Sequence, residues 1–432
     1  MYSRVASLAV TAISRLTRFT TASWARGSQH TTMSAIRGLE NGSQDDPEPK
    51  PLRELPIESI GPQNGSLAWL PTPASIEAKP FPIFGTSDFD LILRRELPTR
   101  YIAHIKACLV HGQSTATLTC GSEGAVHWAA LPELLLGQQP GNYAAFFEAA
   151  GDRWKFSNRP DLKPTARLNR GVLVGTRYSF NYFHFVTDLL PRLLIADEQH
   201  PGDTSPLLVP PVAPQLIELL RLFAPNRTIM LMAPDDLVHV DDLVVPSSAA
   251  FSPDHFERAK EAVFDAPYLR ALRPRLSSLY APPRGETGKI VFIRRTDVDL
   301  GNGLRHRNIV NQEEVALHLQ RLGAIVVQPE TMTMAAQIAL FRQADVVVGM
   351  AGAGLTNAVF CRPGTALVLL CQDRIVNPEY FAFMADALEL HYAIVACEPV
   401  LGSSGHPAHL SIKVTLDDLD RAMSWAKALH GP

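Results

Sequence analysis

The stretch "ADVVVGMAGAGLTNAVF" (Ala344–Phe360) decides the fold. It opens with an apolar run of strand length, turns through Gly352, Ala353 and Gly354, and enters a short helical pattern. Glycines there let backbone N–H groups approach an anion at a helix start. The flanking segments alternate in the same manner: the strand "KIVFIRR", a helix from Gln312 to Leu322, the strand "AIVVQP", a helix from Met334 to Gln343, and the strand "TALVLLC". Such alternation predicts an α/β fold with a parallel, doubly wound sheet.

Parallel strands expose their carboxyl ends on one rim, so Arg294 and Arg295 should meet the glycine turn there, with Arg305 and Arg307 shortly after. Arginine pairs phosphate in a planar, bidentate way; for Arg305 a solvated loop is the expectation. Three readings of the turn stand: a tight turn holding nothing, a dinucleotide site, and a site for nucleotide phosphates. A dinucleotide fingerprint needs a third glycine where Asn357 stands. Asp373 lies at a suitable distance for the ribose, but the intervening helix is short. Asp297 and Asp299 form a D-x-D pair of the kind that holds a divalent metal, yet the neighbouring arginines already neutralise a local anion. No metal and no cofactor are expected.

The first half carries its own alternation. The strand Gly171–Gly175 leads to Ser179 or Asn181 as helix cap and a helix to about Asp197, with a kink expected at Pro191. "PLLVP", the helix "APQLIELLRLFA", "TIMLM" and "DDLVVP" continue it, and Phe256–Leu279 reads as one or two helices broken at Pro267 and Pro274. His184 and Asp188, at i and i+4, share a helical face that Arg192 continues. A carboxylate beside an imidazole suits a general base. The alternative is an Asp188–Arg192 ion pair with His184 a half-buried polar residue. Tyr101–His127 alternates around "HGQ" and "GSEG" turns, as a small antiparallel β element would.

Composition bounds the function. Forty Lys and Arg against 43 Asp and Glu give a net charge of −3, which makes no electrostatic case for nucleic acid. The five cysteines are scattered, without C-x-x-C spacing; Cys108 and Cys120 could face each other across a hairpin, but buried free thiols in a reducing compartment fit better. No apolar run reaches the roughly 20 residues of a membrane helix. Met1–Leu39 lacks acids and spreads Arg4, Arg15, Arg18, Arg26 and Arg37 among Ser, Thr and Ala. It reads either as an organelle transit peptide or as sequence upstream of a start at Met33.

Taken together, "GTRYSFNYFHFVTDLLPRLLIA" and "FIRR … RNIVNQEEV … VVQPETMTMAAQIALFRQADVVVGMAGAGLTNAVFCRPGTALVLL" resemble the family 61 glycosyltransferases. These include capsular-polysaccharide and plant xylosyl enzymes and relatives of protein O-GlcNAc transferases. The resemblance covers about 170–372, roughly half the chain. It implies a GT-B fold of two Rossmann-type domains facing across a cleft, a nucleotide-sugar donor (usually UDP-linked), and inverting, metal-independent transfer. Residue by residue, it places Arg294, Arg295, Arg307, Glu330, Gly352, Gly354 and Asn357 on the donor side. It places Asn181, His184, Asp188 and Arg192 on the first-domain helix, with His184 or Asp188 as base. Two departures stand out: Gln312 within an "N-E-x-E" motif, and Ala351 where a histidine is usual.

The expected organisation is a disordered leader over 1–79, an acceptor-side domain over 80–283, a nucleotide-sugar domain over 284–395 and a tail helix over 396–432. The acceptor is a glycan, a lipid-linked species or a protein. The expected location is the cytoplasm, with peripheral membrane contact or organelle targeting as alternatives. Non-catalytic binding of nucleotide-sugar or glycan is the rival function, and an NAD-dependent enzyme a distant third.

Overall fold

The computed structural model describes residues 53–55, 60–86, 89–112, 116–119, 125–128, 147–150, 153–156, 164–176, 178–251, 263–280, 289–296, 307–372, 378–401 and 410–431. The chain divides into two compact units, 1–53 with 139–162, and 54–138 with 163–432. Within the first, Phe147–Ala150 and Arg153–Phe156 pair as an antiparallel hairpin. The second unit holds the two large sheets.

Its first sheet has a parallel part, ordered Ile229–Leu231, Leu207–Val209, Ala166–Leu173, Leu237–Pro246. Numbered along the chain this is 3-2-1-4, the order of half a Rossmann sheet. The expected separate β element is instead a continuation of this sheet. Tyr101–His111 pairs antiparallel with Leu237–Pro246, and Ala116–Thr119 and Ala125–Trp128 extend the edge. A long run apolar on both faces has to be covered twice, which an isolated hairpin cannot do. Alternate residues point to opposite faces. Val172, Leu207 and Val244 pack beneath the helices Leu190–Gln199, Pro214–Phe223 and Ala266–Ser278. Leu173, Leu208 and Val245 join Tyr101 and Ile105 on the opposite face. Among the described residues, helices cover one face of this sheet.

The second sheet is wholly parallel, ordered Ala324–Val327, Lys289–Ile293, Ala344–Met350, Ala366–Cys371, His391–Ala396, with Ile83–Phe84 at its edge. Its five long strands run 2-1-3-4-5, and helices cover both faces as expected. Gln312–Arg321 and Leu416–Ala428 pack against Phe292, Val346 and Val348. Met334–Phe341, the 3₁₀ helix Ala353–Phe360 and Glu379–Ala387 pack against Val291, Val347 and Leu369. That second layer shares one apolar cluster with the helices of the first sheet. Where they meet, Phe264 stacks on Tyr380 with ring centroids 4.0 Å apart, and Arg95 pairs with the buried Glu379 at 2.5 Å.

Segments expected inside the leader contribute structure: Gly65–Trp69 pairs with Tyr101–His111, and Ser75–Glu77 pairs with Arg94–Glu96. Asn181 rather than Ser179 caps the first helix, its side chain accepting from the Phe183 N–H at 2.9 Å. The expected kink at Pro191 takes the form of a π-helical turn over Phe185–Leu189 just before the proline. Proline has no N–H to give the preceding turn, and a wider turn relieves the clash. Ala266–Ser278 is one helix, with Pro267 in its first turn and Pro274 inside it. Cys108, Cys361, Cys371 and Cys397 are buried. Cys120, Arg305, Asp297, Asp299 and Asp373 lie outside the described residues. No helix among the described residues is long and apolar enough to cross a membrane.

Candidate active site

In an open α/β sheet, ligands bind beyond the carboxyl ends of the strands where the strand order reverses. The second sheet reverses between Lys289–Ile293 and Ala344–Met350. The residues leaving those two strands are Arg294 and Arg295 on one side, and Ala351, Gly352 and the 3₁₀ helix on the other. The rim expected from the sequence is therefore formed, and it lies at the switch point.

The neighbouring arginines do different work. Arg294 turns outward into an ion pair with Glu313. Arg295 turns inward, and its Nη1 donates to the Ala351 carbonyl at 3.1 Å. Its backbone is clamped at both polar groups by Gln312. The Arg295 N–H donates to Oε1 at 2.8 Å, and Nε2 donates to the Arg295 carbonyl at 3.1 Å. A glutamate could take only the first of these bonds, so the departure at Gln312 suits a clamp.

Burial pushes the Arg295 pKa down, partly countered by Glu330. Burial, reinforced by the like charge of Arg295, lowers Arg307 to about 10. Arg295 and Arg307 are thus desolvated like charges close enough to repel each other, and an anion nearby would favour the charged form of both. Glu330 also accepts from the Thr296 hydroxyl.

The glycines are explained by these neighbours. A Cβ at Gly352 would stand 2.4 Å from Arg295 Nη1, whereas at Gly354 it would stand 3.1 Å from Ile293 Cγ2. Gly352→Ala should therefore displace the guanidinium and weaken anion binding at least tenfold, with Gly354→Ala much milder. Titrating both variants with a nucleoside diphosphate by calorimetry checks this. Ala351 is 1% exposed and packs in the core, so it presents no side chain to the anion.

Asn357, which the resemblance places on the donor side, is fully buried. Its Nδ2 donates to the Gly354 carbonyl at 3.2 Å, and its Oδ1 accepts from the Tyr182 hydroxyl at 2.8 Å. The amide thus fixes the glycine turn from behind, in the place where a dinucleotide fingerprint needs glycine. Burial raises the Tyr182 pKa far above the phenolic range, so this phenol remains a donor.

Tyr182 also carries the argument to the first sheet. That sheet reverses between Ala166–Leu173 and Leu237–Pro246, and the helix opening at Asn181 and Tyr182 starts beyond the first of these strands. The Tyr182–Asn357 bond joins the two switch points. His184 stands half-buried beside it, stacked on Tyr178 with ring centroids 5.2 Å apart. Asp188 faces elsewhere: it is 5% exposed and accepts from Arg192 Nε at 3.0 Å and from the Ser248 hydroxyl. Arg192, fully buried, also donates from Nη1 to the Pro246 carbonyl at 3.0 Å. The structure thus brings Arg295, Arg307, Gly352 and Gly354 together at one rim with Asn357 behind them, sets Asn181 and His184 at the other, and leaves Asp188 and Arg192 as a buried ion pair.

Residues 182–368 match the family model described as Glycosyltransferase 61. The match begins at Tyr182 and takes in both switch-point helices and every residue that the resemblance places on the donor side. No curated protein matches the chain.

Proposed function

From residues 182–368 as a glycosyltransferase 61 domain, we propose that the protein transfers a sugar from a nucleotide-sugar, of the UDP-linked kind, to a glycan, lipid-linked or protein acceptor. The observation that carries this reading is the pair of desolvated arginines, Arg295 and Arg307, at the switch point beside Gly352. A sugar leaves its nucleotide as a diphosphate bearing new negative charge. Fixed cations and turn amides aimed at that charge stabilise the transition state. With two guanidiniums supplying it, the transfer is metal-independent and uses no cofactor.

The acceptor lies on the first-sheet side, and the two sheets stand as the halves of a GT-B arrangement joined at Tyr182–Asn357. Asp188 is already committed to Arg192 and Ser248. We therefore assign the base to His184, which takes the acceptor proton as the hydroxyl attacks opposite the leaving diphosphate. Such an attack inverts the anomeric centre. Because Ala351 offers no side chain to the anion, a second reading keeps the donor site without transfer.

The test is release of free nucleoside diphosphate from a panel of UDP-, GDP-, CMP- and dTDP-sugars in EDTA, with and without acceptor mixtures. Release from one donor, abolished by Arg307→Ala, is the expected result. Donor binding without release under any condition would leave the non-catalytic reading.

A further inference from the structure

At the far end of the helix that opens at Tyr182, His200 closes the last turn and faces His104 on Tyr101–His111. Eighteen residues of helix separate this point from the switch points, roughly 27 Å at 1.5 Å per residue. The two Nε2 atoms stand 3.1 Å apart. His104 Nδ1 lies 3.1 Å from Asp242 Oδ1, and the other oxygen of Asp242 is held by Arg170 at 2.5 Å. A carboxylate only accepts, so the His104 proton sits on Nδ1 and its Nε2 presents a lone pair.

We propose that His104 and His200 bind one borderline transition-metal ion, Zn²⁺, Ni²⁺ or Cu²⁺, between their Nε2 atoms. An ion about 2.05 Å from both nitrogens subtends an angle of about 100° at 3.1 Å separation, between the square and tetrahedral values. Rings aimed at that ion would have centroids about 4.8 Å apart, whereas a head-on N–H···N bond would set them about 5.4 Å apart. The observed separation is 4.9 Å.

The rest of the surroundings agree. Asp242 orients His104 from behind, as carboxylates do for ligating imidazoles. His104 is 23% exposed, which leaves a path for the ion. Asp242 and Asp203 offset the charge of Arg170. Among the described residues no third His, Cys or carboxylate completes the set, so water fills the remaining positions. The ion ties the helix end to the sheet and takes no part in the transfer reaction.

The experiment is calorimetric and thermal titration of the untagged, EDTA-treated full-length chain with Zn²⁺, Ni²⁺ and Cu²⁺, using Mg²⁺ as control. One saturable site and a rise in the midpoint of roughly 3–6 °C at 100-fold excess over Kd are expected for at least one of the three ions. Mg²⁺ should give no shift. His104→Ala and His200→Ala should each abolish the site, and Asp242→Asn should weaken it about 10-fold. His104→Gln, which retains a polar side chain beside Asp242, repeats the test if an alanine variant does not fold. Arg295→Ala should bind the ion normally. Binding that survives loss of either histidine, or no binding by any of the three ions at millimolar concentration, overturns the proposal.

Discussion

Asp188→Asn will destabilise the protein by about 3–5 kcal/mol, the usual cost of stranding one partner of a buried ion pair. Arg192 is fully buried, its guanidinium donates to Asp188 and to the Pro246 carbonyl, and a neutral amide removes the carboxylate charge that faces it. Thermal unfolding should show a midpoint lower by roughly 3–11 °C. The pair sits where both sheets share one core, close to Tyr380, whose pKa is raised by burial and further by the Asp188 charge, so the loss should appear in the single main transition. A variant that keeps full stability but loses turnover would instead return Asp188 to the role of base.

His184→Gln should lower turnover by roughly 10²–10⁴-fold, the range for removing a general base. The imidazole stacks on Tyr178 at the first-sheet rim, and Tyr182, two residues earlier, reaches the donor turn. Glutamine keeps a polar side chain of similar reach but cannot take a proton at neutral pH. Donor affinity should be unchanged, because the proposed phosphate-binding groups lie on the second sheet. Steady-state kcat with calorimetric donor Kd on the same preparation checks both halves; unchanged kcat would remove His184 from the reaction.

The second sheet was legible because its strands are unbroken apolar runs bounded by glycine, proline and charge. Arg295 and Gly352 were legible because parallel strands bring their carboxyl ends to one edge. What escaped depends on contacts between distant residues. Tyr182 and Asn357 are 175 positions apart, and Arg295 and Gln312 are 17 apart; neither pairing leaves a periodic trace.

Of the contacts that the His184, Asp188 and Arg192 spacing allows, the Asp188–Arg192 ion pair is formed, at the end of a π turn over Phe185–Leu189 that the residue pattern does not announce. Ile83–Phe84 escaped because two residues carry no periodicity, though they add a parallel edge strand beside His391–Ala396.

The claim on which the rest depends is that Arg295 and the Gly352 turn hold a nucleoside diphosphate without metal. Its most direct measurement is calorimetric titration of the wild-type chain and Arg295→Ala with UDP in excess EDTA. The expected result is single-site binding by the wild type and a loss of about 100-fold in the variant, or about 2.7 kcal/mol at 1.36 kcal/mol per tenfold. Apo stability should be little changed, since removing Arg295 also relieves its repulsion with Arg307. Equal binding by both proteins, or binding that appears only when a divalent ion is restored, would contradict the account.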